Sequence, residues 1–277
     1  MYRILVVFKK AIIMVYESKS HFHQKFHKTL ETYERNPISR YFYHKTKDLT
    51  IKLLELQGSE SVLDVGCGNA FLINKIKLNY PKIEIVGIDI IKDQMVSIVK
   101  KAEDFSLVLG DAMKLPFADN SFDRVTCTAV LQYLPNPLSA IQETYRITKK
   151  GGIVVFDFPG GFHLQNYLEH FLTVIFKIVP FHKNYLTSKI KQWITNSGFR
   201  IGKTRSTRFL GSIFCPFLPT LYLPGIGSFY WCSEQFTKRL IKIDSFIEHV
   251  FGQNDFFKLF GGSLLFQCIK TPHPEVK

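Results

Sequence analysis

The chain has 277 residues, 46% of them hydrophobic, and a net charge of +13. That length allows one large α/β domain with an attached cap or two small domains, and the apolar content supports a real core. The five cysteines, Cys67, Cys127, Cys215, Cys232 and Cys268, show neither a C-x-x-C pair nor another metal spacing, so they read as reduced, buried thiols of a cytosolic protein.

Residues 4 to 8 and 11 to 16 are apolar, but Lys9 and Lys10 split them. Neither run is long enough for a signal-peptide core or a membrane span. Met14 is an alternative start. Residues 20 to 57 read as helices, with one stripe at Phe22, Phe26 and Leu30, a break at Asn36-Pro37, and a second stripe at Leu49, Leu53, Leu54 and Leu56. His23 and His27 share a helix face beside His21. No third ligand is placed near them, so they read as a solvated face and no metal site is expected.

A strand over 61–65 leads into Gly66-Cys67-Gly68, and a helix over about 69–79 follows. Strand, glycine turn and helix bring backbone N–H groups close to a nucleotide-like ligand. A dinucleotide site wants a third glycine where Phe71 stands, and an apolar strand where Asp64 stands. The next strand, 83–88, ends at Asp89, an acid placed to accept hydrogen bonds from ribose hydroxyls. A helix over 92–103 and a strand over 105–109 come before Gly110-Asp111-Ala112. The strand over 122–128 runs into Thr128-Ala129-Val130-Leu131-Gln132-Tyr133. A helix over 136–149 has Asn136 as cap, Pro137 at its first position and Gly151 past its end. The strand over 152–157 is the fifth, and this strand–helix alternation implies a parallel sheet with right-handed crossovers.

Beyond residue 158, Phe162 to Val179 looks helical. Thr187 is placed to cap a helix carrying Ile190, Trp193 and Ile194, ended by Gly198. Strands are expected over 199–209 and 262–270. Residues 161 to 210 hold eight Lys or Arg against one acid, Glu169. From Phe209 to Ser233 there is no charge, but there are Pro216, Pro219, Pro224 and many aromatic and leucine side chains, among them Phe214, Phe217, Leu221, Tyr222, Tyr230 and Trp231. The prolines argue against a spanning helix, so this stretch reads as an apolar lid. Phe236 to Phe251 looks like an amphipathic helix.

Taken in order, Asp64-x-Gly66-x-Gly68, Asp89, the Gly110-Asp111 run, the Thr128 region and the Lys149-Lys150-Gly151-Gly152 turn resemble the motifs of class I S-adenosylmethionine-dependent methyltransferases of the type 11 kind. The resemblance covers about residues 60 to 160. It implies an α/β, Rossmann-like fold: a seven-stranded, mostly parallel sheet with an antiparallel last strand and helices on both faces. The expected division is an N-terminal helical cap over 1–57, the core over 58–208, the apolar insert over 209–261, and the final strand and tail over 262–277. Many family members have glycine where Ala70 stands.

The resemblance also implies the roles. Asp64 would orient the glycine loop and the methionine amino end, and Gly66, Cys67 and Gly68 would form the close-approach turn. Asp89 and Ile90 would flank the ribose, Asp111 and Ala112 the adenine edge, and Thr128 and Ala129 the methionine moiety. S-adenosylmethionine is the cofactor it implies. Methyl transfer needs positioning and water exclusion more than covalent chemistry. Where a base is needed, Tyr133, His163 and Asp157 are the candidates.

The expected activity is O- or C-methylation of a small, lipophilic or lipid-linked acceptor such as a quinone precursor, a sterol-like compound or a membrane-linked glycan intermediate. The basic stretch and the lid suggest a cytoplasmic protein in peripheral contact with an anionic membrane surface. Two alternatives stand beside it. One is nucleic-acid methylation, suggested by the charge but disfavoured by the absence of an N-P-P-Y-type run at Thr128-Ala129-Val130-Leu131. The other is a catalytically silent binding subunit.

Overall fold

The computed structural model describes residues 37–92, 95, 104–159, 183, 185–207, 222–223, 227–228, 234–251 and 263–271. The histidines at 21, 23, 27 and 163, Cys215 and Cys232, the helical reading of 162–179, most of the 92–103 helix and most of the apolar insert lie outside them.

The described residues form a seven-stranded sheet. Its parallel strands are β1 (Ser61–Val65), β2 (Glu84–Asp89), β3 (Ser106–Leu109), β4 (Phe122–Cys127) and β5 (Thr148–Pro159). Two more strands, β6 (Phe199–Thr207) and the final strand β9 (Ser263–Lys270), complete it. β9 runs antiparallel to both β5 and β6 and lies between them, so the order across the sheet is β3-β2-β1-β4-β5-β9-β6. A short hairpin, β7 (Tyr222–Leu223) and β8 (Gly227–Ser228), stands apart from this sheet.

The two faces of the sheet are covered by different helices. On one face, Val62, Ile85, Val155 and Leu265 pack with Leu53 and Leu54 of α1 (Pro37–Leu54) and with Ile73 and Ile76 of α2 (Phe71–Asn79). On the other, Val125, Val154, Phe156 and Phe266 pack with Ile141 of α3 (Pro137–Ile147) and Ile194 of α4 (Thr187–Asn196). Strand residues alternate between these faces because successive side chains point to opposite sides. Residues in register with Val62 and Ile85 by steps of two, including Asp64, Gly87, Asp89 and Thr126, therefore lie on the α1–α2 face.

Helix starts follow local chemistry. α1 begins at Pro37, whose missing N–H costs nothing in the first turn. Asn136 caps α3 by accepting from the Ser139 N–H, with Pro137 at the first helical position. α4 differs from expectation: Thr187 is its first residue, and the preceding Leu186, in an extended conformation, makes no side-chain cap. β5 also starts earlier than its apolar run, because Thr148 already pairs with Phe122, ahead of a register shift in which β5 carries the extra residues.

The far end of the sheet is tied to α3 by one buried cation. Lys270 Nζ donates to the carbonyls of Tyr145, Arg146 and Thr148 and to Asn120 Oδ1. It thereby satisfies carbonyls that a helix C-terminus leaves without partners. Nearer the site, Arg146 donates to the carbonyls of Leu115 and Phe117, and Glu143 accepts from the Leu115 N–H. These contacts hold the loop between β3 and β4, and with it the position of Asp111. The fifth helix, α5 (Glu234–Phe251), rests on α1 through Tyr41–Ser245 and Lys45–Asp244 contacts.

Candidate functional site

All five parallel strands deliver their carboxyl ends to one edge of the sheet, where open α/β sheets bind ligands. The turn after β1 is left-handed at three places: φ is 71° at Gly66, 53° at Gly68 and 58° at Ala70. Gly66 is also crowded. A Cβ placed there would stand 2.1 Å from Val130 Cγ2, so the loop after β4 lies directly against the turn. Ala70 pays the usual steric cost of an L-residue in this region, which is why glycine suits that position, and its methyl is fully buried in exchange.

The hydrogen bonds of this turn reverse one expectation. Gly66 N–H and Cys67 N–H both donate to the Ile88 carbonyl, and Gly68 N–H donates to Asp89 Oδ2. The turn's N–H groups are thus consumed within the protein and do not form an anion cradle. Among the described residues, no hydrogen bond occupies the carbonyl oxygens of Gly66 or Gly68. A turn with committed donors and available acceptors suits a cationic or neutral ligand better than a phosphate.

The acids follow the same edge. Asp64 is buried between β2 and β4, opposite Gly87 and Thr126, and accepts from the Thr126 hydroxyl. Burial pushes its carboxyl above the ordinary carboxylate range, and the Lys47 ammonium and the Thr126 hydroxyl offset this only in part. Asp89 accepts from Gly68 N–H at 2.9 Å and from Ile91 N–H at 3.0 Å, one bond on each oxygen. Asp111 accepts from Met113 N–H two residues on, a tight turn that leaves its carboxylate half-buried beyond β3.

Several other sequence candidates are placed differently from one another. The Cys67 side chain points into the core, 3.9 Å from Met95 Sδ and in the space left by Gly87, and its thiol is pushed far upward by burial. Neither that side chain nor its N–H is available to a ligand. Ile90 and Ala112 are half-buried beside Asp89 and Asp111. Thr128 is buried, whereas Ala129 is exposed in a left-handed turn with φ 59°. Tyr133 is half-buried in a 3-10 turn over Leu131–Tyr133. Asp157 is buried on β5 and has the parity of Val155, so it lies on the α1 face. Continuing the β4–β5 register by one residue sets it beside Thr128.

α1 contributes groups that sequence patterns do not single out. Lys47 is buried, and its Nζ donates to Thr128 Oγ1 at 2.7 Å. Its ammonium also lies 5.6 Å from the centre of the Tyr43 ring. Tyr43 in turn packs on Phe71, the first residue of α2, with ring centres 5.2 Å apart. Lys47 therefore sits over the glycine turn within electrostatic reach of Asp64. Gln132 is a second such residue: it is buried, and its Oε1 has no hydrogen-bond partner among the described residues. The spacing of Lys47 from Leu54 places it on the helix's inner half. Nothing in the sequence tells which strands that half meets. No cluster of three or more metal-ligating side chains occurs among the described residues.

The comparisons with known proteins agree with this geometry. Residues 63–156 match the family model described as a methyltransferase domain. Over these residues the chain is similar to S-adenosylmethionine-dependent methyltransferases. A demethylmenaquinone methyltransferase of Staphylococcus epidermidis is 35% identical over 144 residues, 50% of this chain and 59% of that protein. One from a Geobacillus species is 33% identical over 150 residues, covering 51% and 64%. The chain thus spans about three-fifths of the length of the curated relatives it matches. A solved Thermotoga maritima structure, a possible histamine N-methyltransferase, superposes with TM-score 0.60 at 18% identity, over 91% of this chain and 99% of that one. A Haemonchus contortus phosphoethanolamine N-methyltransferase in complex with S-adenosyl-L-methionine gives TM-score 0.54 at 14% identity, over 82% and 53%. At these identities the two structures speak for the class I methyltransferase fold. The antiparallel β9 inserted between β5 and β6 is the topology expected of such a methyltransferase.

Proposed function

We propose that this protein transfers the methyl group of S-adenosylmethionine to a small, lipophilic acceptor, on oxygen or carbon. The observation that carries the reading is the pairing of a buried cation, Lys47, with a buried acid, Asp64, beside a turn whose N–H groups are already used. The amino-acid end of the cofactor is a zwitterion and needs one protein charge of each sign. Its sulfonium is repelled by a cradle of N–H groups and tolerated by carbonyls. The residues present fit the group on both counts.

In this reading Asp64 receives the ammonium and Lys47 the carboxylate, with Thr128 holding Lys47 in place. Asp89 accepts from the ribose hydroxyls, and Asp111 meets the adenine edge. When bound, S-adenosylmethionine supplies a methyl on a positively charged sulfur, an intrinsically good leaving group. The protein's part is to hold the acceptor in line and exclude bulk water. Tyr43, on α1 above Phe71, closes the site from that side. Asp157, beside Thr128, is the best-placed acid to take a proton from an acceptor hydroxyl or an activated carbon. Tyr133, in the turn after β4, orients the acceptor.

The substrate in the names of those relatives, demethylmenaquinone, makes an acceptor of that quinone type the first to try. The uncharged, proline-broken stretch from Phe209 to Ser233 supports a lipophilic acceptor and a cytoplasmic protein in peripheral contact with a membrane. No helix among the described residues is long and apolar enough to cross a membrane. In the same reading the chain divides into the helical cap, the core, the lid and the final strand.

The test is incubation of the pure protein with methyl-labelled S-adenosylmethionine and a cellular lipid extract, followed by mass identification of the methylated product, with calorimetry of cofactor binding alongside. A labelled lipid-soluble product is expected. Binding of the cofactor with no label in any lipid fraction would instead favour a silent binding subunit.

A further inference from the structure

α5 turns its one described acid inwards and leaves an unusual surface outside. Asp244 is buried against Lys45 of α1. On the outer half Lys238, Arg239, Lys242, Ile243, Phe246, His249 and Val250 are all exposed. The apolar members are large and open to water: Phe246 is 66% exposed, and Ile243 and Val250 are 49% each. At about 100° per residue the two chemistries separate. Ile243, Phe246 and Val250 form one flank, with Arg239 projecting among them, and Lys238, Lys242 and His249 form the other. No exposed carboxylate stands among the described side chains of this helix.

We propose that this outer face of α5 docks the protein on a bilayer bearing anionic headgroups. A helix that lies in the membrane interface has this composition: bulky apolar side chains that enter the acyl boundary, and cations alongside that reach the phosphates. Long lysine and arginine stems cover apolar surface while their heads stay at the headgroup level. The net charge of +13 adds a long-range attraction toward the same surface. A protein partner fits less well, since it would have to bury three apolar groups on one flank and match a row of cations on the other.

The placement also has a use. α5 contacts α1 through Tyr41–Ser245 and Lys45–Asp244, and α1 carries Tyr43 and Lys47 over the site. Docking through α5 would hold the acceptor site one helix away from the lipid phase. The purpose of the surface rests on the lipophilic-acceptor reading. Vesicle binding is measured without cofactor or turnover, so the two readings fail separately.

The experiment is flotation of the full chain with vesicles of phosphatidylglycerol and phosphatidylcholine, and with phosphatidylcholine alone. The wild type should float with the anionic vesicles only, and release should follow added salt. Arg239→Glu with Lys242→Glu, and separately Ile243→Ser with Phe246→Ser, should each weaken binding by about tenfold or more. Thermal unfolding and cofactor calorimetry should match the wild type in both variants, which separates lost docking from lost folding. Wild type that stays unbound on anionic vesicles, or variants that float as well as wild type, would overturn the proposal. So would a wild-type dimer in sedimentation that Ile243→Ser with Phe246→Ser splits, since the face would then be a contact between copies of the chain.

Discussion

Lys47 and Thr128 stand 81 residues apart in sequence and are joined by a 2.7 Å hydrogen bond from ammonium to hydroxyl. The bond brings a cation on the covering helix to the end of the central strand, beside the acid on β1. Replacing Lys47 by Met keeps most of the buried stem and removes the charge. It should weaken S-adenosylmethionine binding by about 10- to 100-fold, the range expected for a charged hydrogen bond. Affinity for methylthioadenosine, which lacks the amino-acid end, should stay within about twofold of wild type if the loss is confined to that charge. Calorimetry with both ligands checks this; equal losses for the two would remove Lys47 from the carboxylate site.

Gly66 and Val130 make the tightest approach in the turn, 2.1 Å from the position of an added Cβ to Val130 Cγ2. Gly66→Ala meets that side chain and a left-handed backbone together. The variant should lose about 2–4 kcal/mol of stability and most of its cofactor affinity. Ala70→Gly, at a position that is left-handed but already built with a methyl, should bind as the wild type does. Thermal unfolding and calorimetry on both variants separate crowding from backbone strain.

Acid should weaken cofactor binding earlier than an ordinary carboxylate would. Burial raises the Asp64 pKa in the ligand-free protein. A bound ammonium favours the ionised acid, so affinity is full above that raised pKa and falls as pH drops through it. The decline should begin above about pH 4, where exposed aspartates are still charged. Asp64→Asn should bind weakly at every pH and show no such decline, which a pH series of binding isotherms will reveal.

Asp157 and Tyr133 make different demands on the reaction. Asp157→Asn should lower kcat by about 100-fold or more while leaving cofactor affinity within about threefold, as removal of a base does. Tyr133→Phe should chiefly raise KM for the acceptor. A kcat unaffected by Asp157→Asn would show that the acceptor needs no base from β5.

The buried ammonium of Lys270 has four acceptors, three of them carbonyls at or just beyond the end of α3. Lys270→Met strands these acceptors away from water and should cost about 3 kcal/mol of stability. Because the contact lies far from the carboxyl ends of the strands, cofactor affinity of the folded protein should not change. Denaturant unfolding beside calorimetry tests both halves of the statement.

Most of the carboxyl edge of the sheet is legible in the amino-acid sequence. Asp64, Gly66, Gly68, Asp89 and Asp111 belong to local patterns, each acid a fixed distance from the end of its own strand, and the chain order of strands and helices places those ends together. Thr187 fails as a helix cap because a cap depends on the backbone of a single residue, and Leu186 takes the position. Cys67 lies inside the motif yet turns into the core, because Gly87 on the neighbouring strand leaves room for its sulfur. The use of the turn's N–H groups is equally hidden in the sequence, since their acceptors, Ile88 and Asp89, come from the next strand.

By itself the sequence determined the alternation of strands and helices, the glycine turn and the acids at the strand ends, because these depend on spacing within one segment. Only the tertiary structure decided that Lys47 would meet Thr128, that Asp157 would share a face with Asp64, and that α5 would turn Asp244 inwards and its cations and phenylalanine outwards. Those outcomes are set by which faces of distant segments pack together, and that choice is made by the whole core at once.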